Sequence, residues 1–393
     1  MLTIENRGIY TDLMRKFRNE GHQVYIITPT ERRDGRPTTL IEEDGVNILA
    51  VRTLNVQKTN VIEKGIGQVS IEMLYKSAIK KYFKSVTFDL ILYSTPPITF
   101  PKVIEYVKKN NPSAMTYLLL KDIFPQNAVD MGMLCKTGIK GLLYKYFRAK
   151  EKKLYKLSDH IGCMSPANVK YLLDHNSDID SCKVEIAPNS YEYISVDESQ
   201  IDLETIRQKY GLPLDVPVFI YGGNMGKPQG IPFLLECMKV VQDRNDCHFV
   251  IVGSGTEYPK LHSWFKANNP KSISLFQRLP KEDYDLLTKA CDIGMIFLDY
   301  RFTIPNYPSR LLPYIMSRKP IIAVTDPNCD TGLLAETNGY GFYCPSNSVD
   351  AFVATIDKIL SSNIKEMGDN GYKYYIKNYT VDHTYNVIMQ HTK

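Results

Sequence analysis

The chain contains no run of about 18 apolar residues, so no membrane-spanning helix is expected of it. Its start, Met1-Leu-Thr-Ile-Glu-Asn-Arg7, lacks a charged leader followed by an apolar stretch, and no secretory signal is expected either. The eight cysteines form no CxxC pair, and no His-rich cluster accompanies them, which removes the usual spacings of zinc sites and redox dithiols. Reduced, cytosolic thiols are the simplest expectation. A net charge of +5 over 393 residues is too small to argue for a nucleic acid partner. Two common phosphate signatures are also absent around Gly222: there is no GxxxxGK[ST] loop and no GxGxxG fingerprint. Of the two DxD strings, Asp178-Ile-Asp180 lies in a polar loop. Asp283-Tyr-Asp285 follows Pro280 at a helix start, where acids complement the dipole, so no metal site is expected.

What is present is an ordinary globular composition, 44% hydrophobic and 23% charged, in a chain too long for one hydrophobic core. Helical spacing over residues 9–20 ends at Gly21, and Val24-Tyr-Ile-Ile-Thr28 then reads as a buried parallel strand. Further strands are expected at Val46–Val51, Leu90–Tyr93, Thr116–Leu120, His160–Met164 and Val184–Ile186, with helices around 70–84, 100–109, 138–156 and 166–174. A polar stretch from Tyr193 to Gln200 closes this half. The plan repeats with strands at Val218–Tyr221, Cys247–Val252, Ile273–Phe276, Ile293–Phe297, Ile321–Val324 and Gly341–Tyr343. The alternation predicts an α/β chain of two doubly wound domains. The first is expected over 1–195, completed by a C-terminal helix at about 374–393, and the second over 200–373. A cleft between them is the expected ligand site. Such a domain normally opens on a strand, but only Leu2-Thr-Ile4 precedes the first helix. The first strand is therefore read as missing, with a central sheet position left vacant.

The motif richest in chemistry follows Val218-Phe-Ile-Tyr221: Gly222-Gly-Asn-Met-Gly-Lys-Pro-Gln-Gly230, then the helix-like Ile231-Pro-Phe-Leu-Leu-Glu-Cys-Met238. Strand, glycine turn and helix start together favour an anion, because glycine permits close backbone approach and the free helix amides attract phosphate. Gly222, Gly223, Asn224, Gly226 and Gln229 are candidate ligand contacts, and Lys227 tilts the reading toward phosphate over a plain tight turn. Gly253, in Val250-Ile-Val-Gly-Ser-Gly255, marks a second close approach after the next strand. A third block runs from Phe302 to Tyr314 and from Lys319 to Gly332. In it Ser309 is expected to cap a helix whose first turn presents Arg310, a fork suited to a diphosphate. Pro313 lacks an N–H and leaves nearby amides open to a ligand. Asn306, Thr325, Asp326 and Asp330 lie in the same block. In the first half, Tyr93-Ser-Thr95-Pro-Pro-Ile98 and Leu118-Leu-Leu-Lys-Asp122-Ile-Phe-Pro-Gln126 each follow a strand, with Asp122 read either as a catalytic carboxylate or as a cap.

Between residues 140 and 156 lie Lys140, Lys145, Arg148, Lys150, Lys152, Lys153 and Lys156, opposed only by Glu151 and interleaved with Leu142, Leu143, Tyr144, Tyr146, Phe147, Leu154 and Tyr155. This basic amphipathic helix either rests on an anionic membrane or packs its apolar side on its own domain.

Taken together, Asn6-Arg7-Gly8-Ile-Tyr10-Thr-Asp-Leu-Met14, Tyr93–Pro97, Lys121–Gln126, Met164–Asn168, Ala187–Ser190, the Gly222 loop and the Ile304–Gly332 block resemble the retaining GT-B glycosyltransferases of family four, in the bacterial branch that builds capsule, O-antigen and other surface polysaccharides. The resemblance covers nearly the whole chain. It implies two Rossmann-like domains, a nucleotide-sugar donor on the C-terminal one, and a lipid-linked sugar acceptor facing the N-terminal one. Arg7, Gly8, Tyr10 and Thr95 fall on the acceptor side. It implies no cofactor beyond the nucleotide-sugar substrate, and a place at the inner membrane face reached by helix 140–156. Asp122, Lys227 and Arg310 are the expected catalytic residues. The family's basic pair falls near Asn224 and Gln229, and its E-x7-E glutamates fall at Pro305 and Pro313. A catalytically inactive partner protein and a sugar-nucleotide epimerase are the alternatives.

Overall fold

The computed structural model describes residues 3–55, 61–193 and 202–392, without the side chains of 61–66, 68 and 69. The chain divides into two compact units, Met1–Glu192 with Thr380–Lys393, and Tyr193–Tyr379. The polar linker expected from Tyr193 lies, after that residue, outside the described residues. Among the described residues no helix is long and apolar enough to cross a membrane.

Unit 1 begins with α1 (Ile9–Asn19), β1 (Val24–Glu31), β2 (Thr39–Glu43), β3 (Val46–Thr53) and α2 (Val61–Tyr82). It continues through β4 (Leu90–Thr95), α3 (Pro101–Asn110), β5 (Met115–Leu120), α4 (Gln126–Asp130) and α5 (Gly138–Leu157). β6 (His160–Cys163), α6 (Pro166–Asp174) and β7 (Val184–Ile186) follow. Its strands form two sheets, β1-β3-β2 and β4-β5-β6-β7. β1 runs parallel to β3, and β4 parallel to β5. One apolar layer nevertheless crosses both sheets, bringing Val24, Ile26, Val46 and Ile48 together with Tyr117, Leu119 and Leu13 of α1. The other unites Leu49 and Val51 with Ile91, Tyr93, Leu118 and Leu120 under α2, α3 and α5. No strand precedes α1 among the described residues, and β4 is half-buried at every second position. β2, antiparallel to β3, was not foreseen, because Thr39-Leu-Ile-Glu-Glu43 is short and polar at its end.

Unit 2 contains α7 (Leu203–Lys209), β8 (Val218–Asn224), α8 (Ile231–Val241), β9 (His248–Ser254), α9 (Tyr258–Asn268), β10 (Ile273–Gln277), α10 (Lys281–Ala290) and β11 (Ile293–Phe297). It ends with α11 (Leu311–Met316), β12 (Ile321–Thr325), α12 (Thr331–Thr337), β13 (Gly341–Pro345), α13 (Val349–Leu360) and α14 (Ile364–Asn378). Its single parallel sheet has the order β10-β9-β8-β11-β12-β13, and β11 and β12 are buried at every residue. The order reverses between β8 and β11. In open α/β sheets, ligands bind outside the carboxyl ends of the strands at such a point. The last helix, α15 (Val381–Met389), returns to unit 1. There Ile388 is fully buried and Tyr385 sits edge-on to Phe17 of α1 at 5.0 Å. The return therefore starts at Thr380 and not near 374. α14 stays with unit 2, where a Cβ at Gly368 would lie 2.0 Å from the Arg318 carbonyl oxygen and so leaves room for glycine alone.

Candidate functional site at the strand ends of unit 2

Gly222 and Gly223 are part of β8, not of the turn after it. A Cβ on Gly222 would lie 2.0 Å from the Tyr284 hydroxyl, and its amide donates to the Tyr314 hydroxyl at 3.1 Å. This glycine makes room for tyrosines. A Cβ at Gly253, at the end of β9, would meet the Gly223 carbonyl oxygen at 1.9 Å, so the two strand ends approach closely. The chain then turns through Gly226 and Lys227-Pro-Gln229, and Gly230 takes the left-handed conformation (φ 57°) that turns it into α8. Asn224 and Gln229 engage each other: the Gln229 Oε1 accepts from Asn224 Nδ2 at 3.2 Å and from the Gly226 amide at 3.1 Å. They brace the loop from within. Lys227 is exposed in this turn.

Arg310 approaches from the next block. α11 starts at Leu311, so the cap position belongs to Arg310 and not to Ser309, which is exposed in the preceding turn. Pro313 falls in the first turn of α11, where a missing N–H breaks no helical bond. Asn306 is half-buried earlier in the same loop. The Arg310 guanidinium lies over the Tyr221 ring at 4.6 Å and donates through Nη2 to the Asn224 carbonyl at 3.3 Å. Its Nη1 is buried and has no hydrogen-bond partner among the described residues. A Cβ at Gly223 would lie 3.7 Å from Nη2, so the cation stands beside the bare backbone of the glycine strand end.

A second group of buried polar atoms lies at the ends of β12 and β13. Thr325 and Asp326 are fully buried, and Ser346 is nearly so. Thr325 Oγ1, Asp326 Oδ2 and Ser346 Oγ have no partner among the described residues. Asp326 Oδ1 accepts from the Asn328 and Cys329 amides at 2.8 and 3.1 Å, and burial pushes its carboxyl up to about 6. Asp330 occupies the N-cap position of α12 without capping it through its side chain. A buried polar atom left unpaired costs about 1–3 kcal/mol, so several on one sheet edge are the mark of a place that a polar ligand completes.

The remaining expected residues belong to unit 1. Arg7 donates to the Glu192 carbonyl at 3.1 Å, lies 4.0 Å from Asp12 and sits over the Tyr191 ring, so it is engaged in holding the start of α1. The Gly8 amide donates to Asp12 Oδ1 at 2.8 Å. Burial raises the Tyr10 hydroxyl, while a hydrogen bond with Ser94 opposes this. Thr95 donates to the Asp122 carbonyl at 3.2 Å. Asp122 accepts from Asn127 Nδ2 at 2.8 Å, and burial pushes its carboxyl up to about 6. Its neighbour Lys121 donates to the Ala187 carbonyl at 3.2 Å and is pulled down to about 7 by burial. Adjacent groups shifted in opposite senses are a pattern typical of working sites.

Arg310 and the Gly223–Asn224 end of β8 thus meet directly, with Lys227 in the turn that follows. Asp122 belongs to unit 1, with Thr95 and Asn127. Sequence reasoning missed Tyr221, Tyr284 and Tyr314, which seat Arg310 and Gly222, and it missed Ser346. No local pattern marks them, since each acts across a long sequence separation. Lys121 was visible beside Asp122 but carried no role. In the DxD strings, Asp180 accepts from the Cys182 amide, and Asp283 and Asp285 pair with Lys209 and Lys281.

Residues 202–376 match the family model of glycosyl transferases group 1. The chain is 22% identical over 321 residues to the probable glycosyltransferase WbjE of Pseudomonas aeruginosa, covering 79% of this chain and 75% of that one. It is 24% identical over 163 residues to the putative colanic acid biosynthesis glycosyl transferase WcaI of Escherichia coli K12, covering 40% and 39%. Among solved structures it resembles an Escherichia coli protein named for trehalose-6-phosphate and bound with UDP-2-fluoro glucose, at a TM-score of 0.69 and 9% identity, over 99% of this chain and 96% of that one.

Proposed function

Because the chain is a glycosyltransferase of GT-B fold, with a glycosyl transferases group 1 domain over residues 202–376, we propose that it transfers a sugar with retention from a UDP-linked donor to a lipid-linked saccharide in surface polysaccharide assembly. The observation that carries this reading is Arg310, stacked on Tyr221 at the switch point of the unit 2 sheet with one buried guanidinium nitrogen unpaired. A guanidinium with one nitrogen still to be satisfied, beside a bare glycine strand end, suits a diphosphate. Thr325, Asp326 and Ser346 add polar atoms that hydroxyl groups of a donor can satisfy.

In the proposed reaction the bond between the anomeric carbon and the β-phosphate oxygen breaks, and the acceptor oxygen bonds to the same face of that carbon. The acceptor's proton passes to the departing phosphate. Negative charge grows on the diphosphate as the bond breaks. Arg310 and Lys227 stabilise it there, where a fixed cation counts most. The reaction then uses no metal and no cofactor. Asp122, held protonated to higher pH than an ordinary aspartate, is the catalytic candidate of unit 1. WcaI, named for colanic acid biosynthesis, supports the polysaccharide setting, and the UDP-2-fluoro glucose of the structural relative supports the base. In this reading the enzyme works at the inner membrane face, on the side of α5.

The test is UDP binding by calorimetry together with UDP release from UDP-sugars. Arg310→Ala should weaken UDP by roughly 30-fold, since a hydrogen bond to a charged group is worth about 1.5–3 kcal/mol, and should leave the melting temperature of unit 2 nearly unchanged. Unaltered affinity would remove Arg310 from the site. The mutual bracing of Asn224 and Gln229 favours a second reading, a partner protein without turnover. Binding of UDP without its release from any UDP-sugar would select it.

A further inference from the structure

We propose that the first two turns of α5 and the loop before them form a shallow insertion surface for anionic phospholipid, distinct from the rest of that helix. α5 has two apolar sides. One is spent inside unit 1, where Phe147, Leu154 and Tyr155 are buried. The only acid of the helix, Glu151, faces the same way, accepting from the Tyr155 hydroxyl at 2.6 Å and pairing with Arg148 at 2.5 Å.

The other side faces solvent. Ile139 is 89% exposed, Leu142 69%, Leu143 45% and Tyr146 38%, with Met133 of the preceding loop at 53%. Positions 139, 142, 143 and 146 recur as i, i+3, i+4 and i+7, so they form one stripe. Four large apolar side chains left together in water differ from single exposed ones, which need no explanation.

The stripe ends at Lys150. From there its positions are held by lysines that pair with neighbouring helices, Lys150 with Glu72 of α2 at 2.8 Å and Lys153 with Glu105 of α3 at 2.7 Å. Around the exposed stripe stand Lys136, Lys140 and Lys145, all exposed and in no ion pair among the described residues. An apolar stripe rimmed by unopposed lysines complements a surface with a hydrocarbon interior and negative headgroups, whereas a protein partner would leave that charge to be matched by specific acids. The proposal rests on the reading of a lipid-linked acceptor and refines where that membrane is met: at residues 133–146 and not along the whole of 140–156.

The experiment measures co-sedimentation of the full chain with vesicles of phosphatidylcholine alone and of phosphatidylcholine with phosphatidylglycerol, in the absence of donor or acceptor. Failure here is therefore separable from failure of the transferase reading. Binding should need phosphatidylglycerol and fall with salt. The double variant Leu142→Glu, Leu143→Glu should lose tenfold or more in partitioning. Lys140→Gln and Lys145→Gln should each lose about fivefold, the value of one surface cation near such a membrane. Val240→Glu, at a single exposed apolar position of unit 2, should bind as the parent does. Equal binding to both vesicle types, or a double variant that still binds with an unchanged melting temperature, would overturn the proposal. So would a concentration-dependent dimer abolished by the same double variant, which would assign the stripe to a second copy.

Discussion

At the scale of single residues, glycine and aspartate show how one residue type serves different ends. Gly222 reads locally as phosphate-binding loop, yet its missing Cβ accommodates Tyr284, while Gly223 is the one that leaves Arg310 close to bare backbone. Asp326 invites a test by pH. Its carboxyl is raised by burial from 3.8 to about 6, so between these values the folded chain holds a proton that the unfolded chain has released. Stability contributed by that proton is present below about pH 4 and is lost as pH rises through 6, by an amount on the order of 3 kcal/mol. Asp326→Asn keeps the Oδ1 acceptor of the turn and removes the titration. Urea unfolding midpoints from pH 4 to 7 should fall less steeply in the variant than in the parent. Parallel profiles would mean that Asp326 ionises normally.

At the scale of elements, most strands and helices were legible because each carries its own period: continuous apolar runs for β8, β11 and β12, and helical spacing for α1 and α5. Which face of α5 enters the core was not legible, since both faces carry apolar residues and only packing against α2 and α3 chooses between them. The same limit hid β2, which exists because β3 offers it a ladder. In unit 1, β4 pairs with β5 and is half-buried at Leu90, Leu92 and Ser94, whereas β11 lies between β8 and β12 and is fully buried. Strand amides open most readily where neighbours and apolar cover are fewest. Hydrogen exchange read by mass spectrometry should therefore be at least tenfold faster in a peptide covering Leu90–Thr95 than in one covering Ile293–Phe297. Equal protection would show that the division of the unit 1 sheet has no energetic consequence.

At the scale of the whole molecule, the chain builds two units with separate cores, and its last helix returns to the first of them. Val381 and Ile388 of α15 are buried in unit 1, Tyr385 packs on Phe17, and the Tyr385 hydroxyl lies 2.8 Å from His22 Nε2. Ending the chain after Tyr379 removes these contacts and exposes the α1 face they cover. At about 1.5–3 kcal/mol for each large apolar side chain, and roughly 2–4 °C per kcal/mol for a unit of this size, the transition of unit 1 should fall by about 10 °C or more. Calorimetry should show the unit 2 transition in place. A uniform shift of both would contradict the division of the chain at Tyr379.

The order of elements, the doubling of the α/β plan and the glycine-marked strand end at 222 were determined by sequence alone, because each depends on residues close together along the chain. Only the tertiary structure decided that Asn224 and Gln229 bind each other, that Tyr221 seats Arg310, and that Thr325, Asp326 and Ser346 leave unpaired atoms on one sheet edge. Apart from the short-range Asn224–Gln229 brace, these are meetings of segments far apart in sequence. They form only when parallel strands align their carboxyl ends, and no local pattern of side chains records them.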